Sequence, residues 1–241
     1  GTGQMTDGDK PLDNQVFFAR LAQRIIHILT INTPAGILYE VDSRLRPGGA
    51  SGMLVSSFEA FTSYQAQNAW TWEHQALVRA RAIAGNPDSI ARFEQIRRDI
   101  LSRRRESAQL KQDVSEMRDK MRKNLDKSKP THPPFETGTF DLKQGLGGIA
   151  DLEFIIQYAV LRWAADYPHL LNTTGMLPLL ELLAKERLLE ETACAQLSDA
   201  FRVYRAETHR LALQNQPALV NNQIFAEHRQ QVMHWWTTIM E

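Results

Sequence analysis

Apolar residues recur at spacings of three and four positions over most of this chain, and that spacing is the repeat of an amphipathic helix. The clearest stripe consists of Leu110, Val114, Met117, Met121 and Leu125, in a segment otherwise rich in mixed charge. A one-sided apolar stripe predicts a long helix with one face exposed to solvent. Four further periodic segments close the sequence and predict a helical bundle. We therefore expect a mainly α fold.

The predicted helices are bounded by glycine, proline and asparagine signals. They cover residues 14–30, 57–67, 69–84, 88–102, 106–127, 149–165, 176–189, 191–213 and 223–240. Gly85-Asn86-Pro87 is expected to end the third helix, and Asp88 or Ser89 is expected to cap the fourth.

Only short segments predict strands. Ile37 to Val41 and Met53 to Val55 are apolar and β-prone, and they flank a Gly-rich turn, which predicts a hairpin. Phe140 to Leu142 predicts a further extended piece. The Pro-rich segment from Lys127 to Gly138 predicts a loop. The front of the chain is therefore expected to contain a small α/β part.

Charge and composition exclude several classes of protein. The 28 basic and 28 acidic residues balance, so no overall field favours nucleic acid or an anionic membrane. Cys194 is the only cysteine, which excludes an internal disulfide and a zinc site built from thiolates. The sequence has no apolar run of the ~18 residues that a spanning helix needs, and no signal segment stands at its front. We expect a soluble, cytoplasmic protein that binds neither nucleic acid nor membrane.

Asp42, Arg44 and Arg46 follow the first predicted strand in the segment ILYEVDSRLRPGG. Side chains alternate along a strand, so these three would share one face. A carboxylate beside two guanidinium groups could hold a divalent cation and the phosphates that it bridges. An exposed ion pair is the plainer interpretation, and spacing alone favours it.

Glu73 lies in the helix predicted from AWTWEHQALVRARAIAG, where aromatic and charged residues occupy several faces. Such a helix is expected to be largely buried, and a buried carboxylate needs a partner. Two interpretations stay open: a structural ion pair with an arginine, or a place in an active site.

The segment FDLKQGLGGIADLEFIIQ formally contains a dinucleotide fingerprint, but the βαβ context of that fingerprint is missing. Another interpretation is that Gly147 and Gly148 let a ligand approach the backbone. Lys143 and free N–H groups at the start of the next helix would then bind phosphate. Asp151 and Glu153, in the first turns of that helix, could instead simply complement its dipole.

Two long motifs carry a resemblance to a known family. The first is YEVDSRLRPGGASGMLVSSFEAFTSYQAQNAWTWEHQALVRARAIAG, and KQGLGGIADLEFIIQ follows it later in the chain. Together they closely resemble the bacterial adenylyltransferase that modifies glutamine synthetase, and the first is similar to its C-terminal, adenylylating half. The resemblance runs from about Gln15 to the end. It implies the last helix and strands of a polymerase-β-like nucleotidyltransferase domain over residues 1–60 and a helical-bundle domain over residues 61–241.

The resemblance also implies roles for the residues of both motifs. Asp42 matches the third of three carboxylates that hold Mg²⁺ in that superfamily, so it would be catalytic and metal-binding. Arg44 and Arg46 would neutralise phosphate charge of the substrate ATP while AMP passes to a tyrosine of glutamine synthetase. The second motif, with Asp151 and Glu153, would close over the site.

One part of the family pattern is missing. No Gly-Ser followed by Asp-x-Asp precedes Asp42, and Thr6-Asp7-Gly8-Asp9 has the Asp-x-Asp form without the Gly-Ser motif or a strand before it. With one of three carboxylates, the chain is expected to bind Mg²⁺ and ATP poorly and to transfer no AMP alone. Its Gly- and Asp-rich opening, which lacks an initiator Met, favours a piece of a longer protein.

The resemblance implies partners and leaves two further hypotheses. The partners are glutamine synthetase, a PII-type signalling protein and glutamine as an effector. One hypothesis is that the segment is an interaction module that binds glutamine synthetase or a PII-type protein through its helical bundle. The other is that it belongs to the deadenylylating half, which removes AMP by phosphorolysis.

Overall fold

The computed structural model describes residues 4–130 and 138–240, and the chain divides into two compact units, residues 1–73 and residues 74–241. The helices of the described part are α1 (Asn14–Thr30), α2 (Phe58–Gln67), α3 (Thr71–Arg79), α4 (Pro87–Leu101), α5 (Ser107–Leu125), α6 (Ile149–Trp163), α7 (Met176–Lys185), α8 (Glu191–Leu213) and α9 (Ala226–Met240). The strands there are β1 (Asn32–Thr33), β2 (Gly36–Ile37), β3 (Lys129–Pro130), β4 (Gly138–Asp141) and β5 (Leu219–Asn221). The mainly α class predicted from the sequence is confirmed.

The first unit contains α1, whose predicted bounds are confirmed. Asp13 caps the helix, because its Oδ1 accepts the backbone N–H groups of Gln15 and Val16. The apolar side of α1 is exposed rather than buried. Its exposed members are Val16, Phe17, Phe18, Leu21, Ile25 and Ile28.

The predicted hairpin of Ile37–Val41 with Met53–Val55 is wrong. β2 pairs antiparallel with β1 over two residues only, and residues 53–55 belong to no strand. Leu38 and Tyr39, which belong to the predicted strand, are 65% and 62% exposed. A strand extends only as far as a neighbouring strand pairs with its backbone N–H and C=O groups. Because β1 pairs over two residues, β2 ends after two residues.

α3 is shorter than predicted, since it ends at Arg79 rather than at residue 84. Arg97, which is 1% exposed, binds the end of the helix. Its guanidinium donates hydrogen bonds of 2.9 Å to the carbonyl oxygens of Leu77 and Val78. These are carbonyls that a helix leaves without intrahelical partners at its C-terminus. A buried arginine of α4 therefore caps the C-terminus of α3.

The predicted caps of α4, Asp88 or Ser89, are wrong. Asn86 is the N-cap, and its Oδ1 accepts the Ser89 backbone N–H at 2.8 Å. Pro87 occupies the first turn, where its missing N–H would have had no intrahelical partner.

The second unit is built around α6, which contacts α5, α7, α8 and α9. Every residue from Ile149 to Leu161 except Glu153 is buried. A helix that is apolar on nearly all sides requires neighbours on all sides, and the surrounding helices supply them. The predicted helical bundle is thus confirmed in this unit.

β3, β4 and β5 form an antiparallel sheet with β4 in the centre. β4 matches the predicted extended piece to within two residues and leads into the glycine segment that precedes α6. β3 lies in the segment predicted as a loop, and residues 131–137 of that predicted loop lie outside the described residues.

Two other helix ends depart from prediction at residues in a left-handed conformation. α7 stops at Lys185 instead of residue 189, and Arg187 has φ 55°. α9 begins at Ala226 instead of residue 223, and Phe225 has φ 62°. α8 has its predicted bounds. In the part of the chain that the structure describes, no helix is both long and apolar enough to cross a membrane.

Candidate functional site

Asp42 and Arg44 form an exposed ion pair in the first unit. Arg44 Nε lies 3.0 and 2.9 Å from the two carboxylate oxygens of Asp42, and Arg44 Nη2 lies 2.5 Å from Oδ2. The Asp42 and Arg44 side chains are 55% and 79% exposed. The predicted shared strand face is wrong, since no strand covers residues 42–46. The geometry is that of an exposed ion pair, which was the plainer of the two interpretations of the sequence.

Arg46 forms the turn that follows. Its Nη1 donates to the Ser43 carbonyl at 2.7 Å, and its Nε donates to the Gly52 carbonyl at 3.1 Å. Gly52 has no room for a side chain, because a Cβ there would lie 1.8 Å from the Pro47 carbonyl oxygen. Arg46 therefore holds a tight loop whose closure requires glycine.

The Arg44→Gln substitution tests the electrostatics of this pair. The hydrogen bonds from Arg44 lower the pKa of Asp42 to about 2 from its usual 3.8. A lowered pKa favours the folded state above 3.8, and the effect fades as the pH falls through 2. We expect Arg44→Gln to return the Asp42 pKa towards 3.8, as measured by NMR titration of the carboxyl carbon. Arg46→Gln is the matched control and should leave it near 2; equal effects of the two variants would contradict the assignment.

Glu73 is 4% exposed, and its carboxylate is held by a hydroxyl and a backbone N–H group. The carboxylate accepts the Tyr64 hydroxyl at 2.9 and 3.1 Å and the Trp70 backbone N–H at 2.9 Å. A glutamate in the first turn that accepts the N–H of the residue before the helix is half of a capping box. Glu73 thus fixes the start of α3, which differs from both interpretations left open by the sequence.

Asp151 lies at the centre of a buried network in the second unit. Asp151 and Arg118 are both 0% exposed, and Arg118 Nε lies 2.5 Å from Asp151 Oδ1. Arg122 Nη2 lies 3.1 Å from the same oxygen. Asp151 Oδ2 accepts the Gly147 backbone N–H at 2.6 Å. One carboxylate therefore joins two arginines of α5 to the glycine segment.

The glycines of this segment are required for packing. Gly147 has φ +79°, and a Cβ there would lie 2.8 Å from the Arg229 carbonyl oxygen on α9. At Gly145 a Cβ would lie 2.6 Å from the Asp141 carbonyl oxygen and 2.7 Å from a ring carbon of Phe140. The backbone can approach the sheet and α9 so closely only without side chains.

The predicted free N–H groups at the start of α6 are not free. The Gly148 N–H donates to the Gly145 carbonyl, and that of Ile149 donates to the Leu142 carbonyl, both at 2.9 Å. The N–H of Ala150 donates to the Lys143 carbonyl at 3.0 Å. The chain turns back on itself here and fills the position that a bound phosphate would take at an open helix N-terminus.

Lys143 and Glu153 lie outside the buried network. Lys143 is exposed, and its backbone N–H donates to Asp141 Oδ1 at 2.9 Å. Glu153 pairs with Arg79 at 3.1 Å, with side chains 36% and 39% exposed. Of the predicted residues in the second motif, the structure joins Asp151 directly to both glycines: its carboxylate accepts the Gly147 N–H, and its backbone N–H donates to the Gly148 carbonyl at 3.1 Å.

Sequence reasoning missed Arg118, Arg122 and Tyr204. The Tyr204 hydroxyl donates to the Gly147 carbonyl at 3.1 Å, so the loop is held from α8 as well. A signal for Arg118 was present: it follows Leu110 and Val114 at four-residue spacing, on the buried face of α5. A charged residue at a core position predicts a buried partner of opposite charge.

The described residues do not fit a Mg²⁺ site by themselves. Such an ion requires several oxygen ligands, and Asp42 offers one carboxylate that Arg44 already binds through both oxygens. Within residues 4–130 and 138–240, no three His, Cys, Asp or Glu side chains are grouped so that they could hold a metal ion.

Comparison with family models defines the class of protein. Residues 1–96 match the model of glutamate-ammonia ligase adenylyltransferase. Residues 115–236 match that of the PII-uridylyltransferase. Both are nucleotidyltransferase families, and the second match falls on the helical unit.

Curated relatives narrow the assignment. Proteins named bifunctional glutamine synthetase adenylyltransferase/adenylyl-removing enzyme are similar to nearly the whole chain. That of Hahella chejuensis is 48% identical over 237 residues, which is 97% of this chain and 24% of the relative. Those of Thioalkalivibrio sulfidiphilus and Pseudomonas aeruginosa are each 49% identical, over 100% and 96% of this chain and 24% of each relative. The chain belongs to the glutamine synthetase adenylyltransferase family, and it spans about a quarter of the length of these relatives.

Proposed function

We propose that this chain is part of an enzyme that transfers AMP from ATP to a tyrosine of glutamine synthetase. The observation that carries the proposal is its similarity, at 48–49% identity, to relatives named as adenylyltransferases of glutamine synthetase. Assignment to the adenylylating half, with Asp42 as a catalytic residue, rests on the resemblance of the Asp42 segment to that half. The remaining carboxylates of the site would come from residues outside this chain.

The exposed position of Asp42 supports this role. Its side chain is 55% exposed, and its ion pair is with the exposed Arg44. A second positive centre could replace Arg44 as the partner of Asp42 without disturbing a core. Arg44 would then be released towards phosphate oxygens, which guanidinium groups bind in a bidentate manner. Arg46 would act as a positioning residue, since it holds the loop that carries both side chains.

A chimera tests the proposal in a complete enzyme. This chain would replace the matching quarter of the Pseudomonas aeruginosa relative, and transfer of labelled AMP from ATP to glutamine synthetase would be measured. We expect the chimera to be active and Asp42→Asn to lower the rate at least about 100-fold, because a lost carboxylate removes charge that organises the reacting phosphate. Asp9→Asn, from the Asp-x-Asp at the front, is the matched control and should keep the activity.

Two results would overturn the assignment. An inactive chimera that folds normally would argue against the shared function, and full transfer by Asp42→Asn would remove Asp42 from the site. The same chimera supplied with orthophosphate and adenylylated glutamine synthetase separates the two halves: loss of AMP removal, rather than of AMP transfer, in Asp42→Asn would place this chain in the deadenylylating half.

A second candidate function is recognition of a PII-type protein by the helical unit. The match of residues 115–236 to the PII-uridylyltransferase model favours it. Calorimetric titration of the chain with a PII-type protein, without nucleotide, would detect such binding. A flat titration would exclude this function for the chain on its own.

A further inference from the structure

The second unit contains a cleft lined by residues of that unit. It has a volume of about 590 Å³ and lies between α5 and α9, with Leu146 of the glycine segment in its wall. Sites for small molecules are commonly of this size. No residue of the Asp42 segment lines it.

One wall of the cleft is apolar. Met233, Trp236 and Met240, all from α9, contribute their side chains, and Leu146 completes this side. Trp236 is 9% exposed and Met240 is 3% exposed, so the wall is held in place by the surrounding structure. Methionine and tryptophan side chains present a polarisable surface that suits an apolar or aromatic ligand body.

The opposite wall, on α5, carries charge. Lys111 and Arg122 line it together with Asp119, so the lining has two positive groups and one negative group. Arg122 binds Asp119 at 3.1 Å through Nη1. Lys111 has no ion pair with any residue that the structure describes. The lining therefore has one positive charge in excess, which would neutralise a ligand with a single negative charge. It would neutralise a nucleoside triphosphate poorly, because that ligand carries several negative charges.

Arg122 also has unused hydrogen-bonding capacity. Nη1 and Nη2 bind Asp119 and Asp151, while its buried Nε has no hydrogen-bond partner in the described part of the chain. A guanidinium group has five N–H donors, so the two carboxylates do not exhaust it. A ligand carboxylate placed between Lys111 and Arg122 would accept charge-assisted hydrogen bonds from both.

We propose that this cleft binds a small organic carboxylate with an apolar or aromatic body. Lys111 and Arg122 contact the carboxylate, and the α9 wall contacts the body. The inference is independent of the AMP-transfer proposal, because it depends only on the geometry of the second unit.

NMR of the 241-residue chain with 4-phenylbutyrate as the probe tests this site. The indole N–H signal of Trp236, assigned with Trp236→Phe, is expected to shift and saturate. The neutral amide of the same acid should bind about tenfold more weakly, since it lacks the charge that Lys111 and Arg122 recognise.

Lys111→Met identifies the charged wall. It replaces the lysine by an unbranched side chain that is shorter by one heavy atom, removes the charge and leaves the buried Arg122–Asp151 pair in place. We expect it to weaken 4-phenylbutyrate about tenfold and to leave the amide unchanged. Lys120→Met, an exposed lysine on the same helix and outside the cleft lining, is the matched control and should behave as the parent chain.

Three outcomes would overturn the proposal. The first is a Trp236 signal that does not saturate with 4-phenylbutyrate. The second is equal affinity of acid and amide, or equal effects of Lys111→Met and Lys120→Met. The third is tighter binding of phenyl phosphate, a dianion at neutral pH, with the same dependence on Lys111, which would replace the carboxylate by a phosphate ester.

Discussion

The Asp151→Asn variant is expected to lower the free energy of unfolding of the helical unit by about 3–5 kcal/mol. Asparagine has nearly the same shape, so the loss arises from charge rather than from a cavity. Arg118 is 0% exposed and would be left without its carboxylate partner, and a buried unpaired charge is costly. Urea unfolding followed by circular dichroism at 222 nm would measure the change.

Two further variants test whether the loss of stability in Asp151→Asn comes from the unpaired buried charge of Arg118. Glu153→Gln, two residues along the same helix, removes a half-exposed partner of Arg79 and should cost less than about 1 kcal/mol. The double variant Arg118→Met/Asp151→Asn should be more stable than Asp151→Asn, because the buried charge is removed together with its partner. If Asp151→Asn and Glu153→Gln prove equally mild, the buried network does not have the role described.

Gly147→Ala should destabilise the same unit by about 3 kcal/mol. Alanine is strained at φ +79°, and its Cβ would lie 2.8 Å from the Arg229 carbonyl oxygen and 3.2 Å from the Arg229 Cα. Neither atom is a flexible side-chain end, so α9 or the glycine segment must move. Thermal and urea unfolding would record the loss.

Gly8→Ala is the matched control for this substitution. A Cβ at Gly8 meets nothing within 4 Å, so the change should stay within about 0.5 kcal/mol of the parent chain. A Gly147→Ala variant as stable as Gly8→Ala would show that the segment adapts, and it would contradict the packing role assigned to this glycine.

Helices were more predictable from the sequence than strands, and the reason is physical. The bounds of α1 and α8 follow from a pattern that each segment carries within itself. The predicted strand at Ile37–Val41 depended on a pairing neighbour, which a single segment does not specify. The end of α3 depended on Arg97, a residue of another helix.

The candidate site was predictable in part, for a similar reason. The sequence directed attention to Asp42, Glu73 and Asp151, and each has a defined set of partners in the structure. It did not reveal those partners, because Arg118 lies 33 residues from Asp151 in the chain. The glycines of the second motif suggested ligand contact, although their close neighbours are the chain's own backbone atoms.

Arg122 belongs at once to the cleft wall and to the network that holds the glycine segment. If the proposed carboxylate binds Arg122, it would compete with Asp151 for this guanidinium and so change how firmly Asp151 holds the Gly147 N–H. Such linkage is thermodynamically reciprocal. If a bound carboxylate stabilises the glycine segment by a given factor, then a partner that orders this segment raises the affinity for the carboxylate by the same factor. Binding in the cleft and the order of the glycine segment before α6 would therefore be coupled in the second unit.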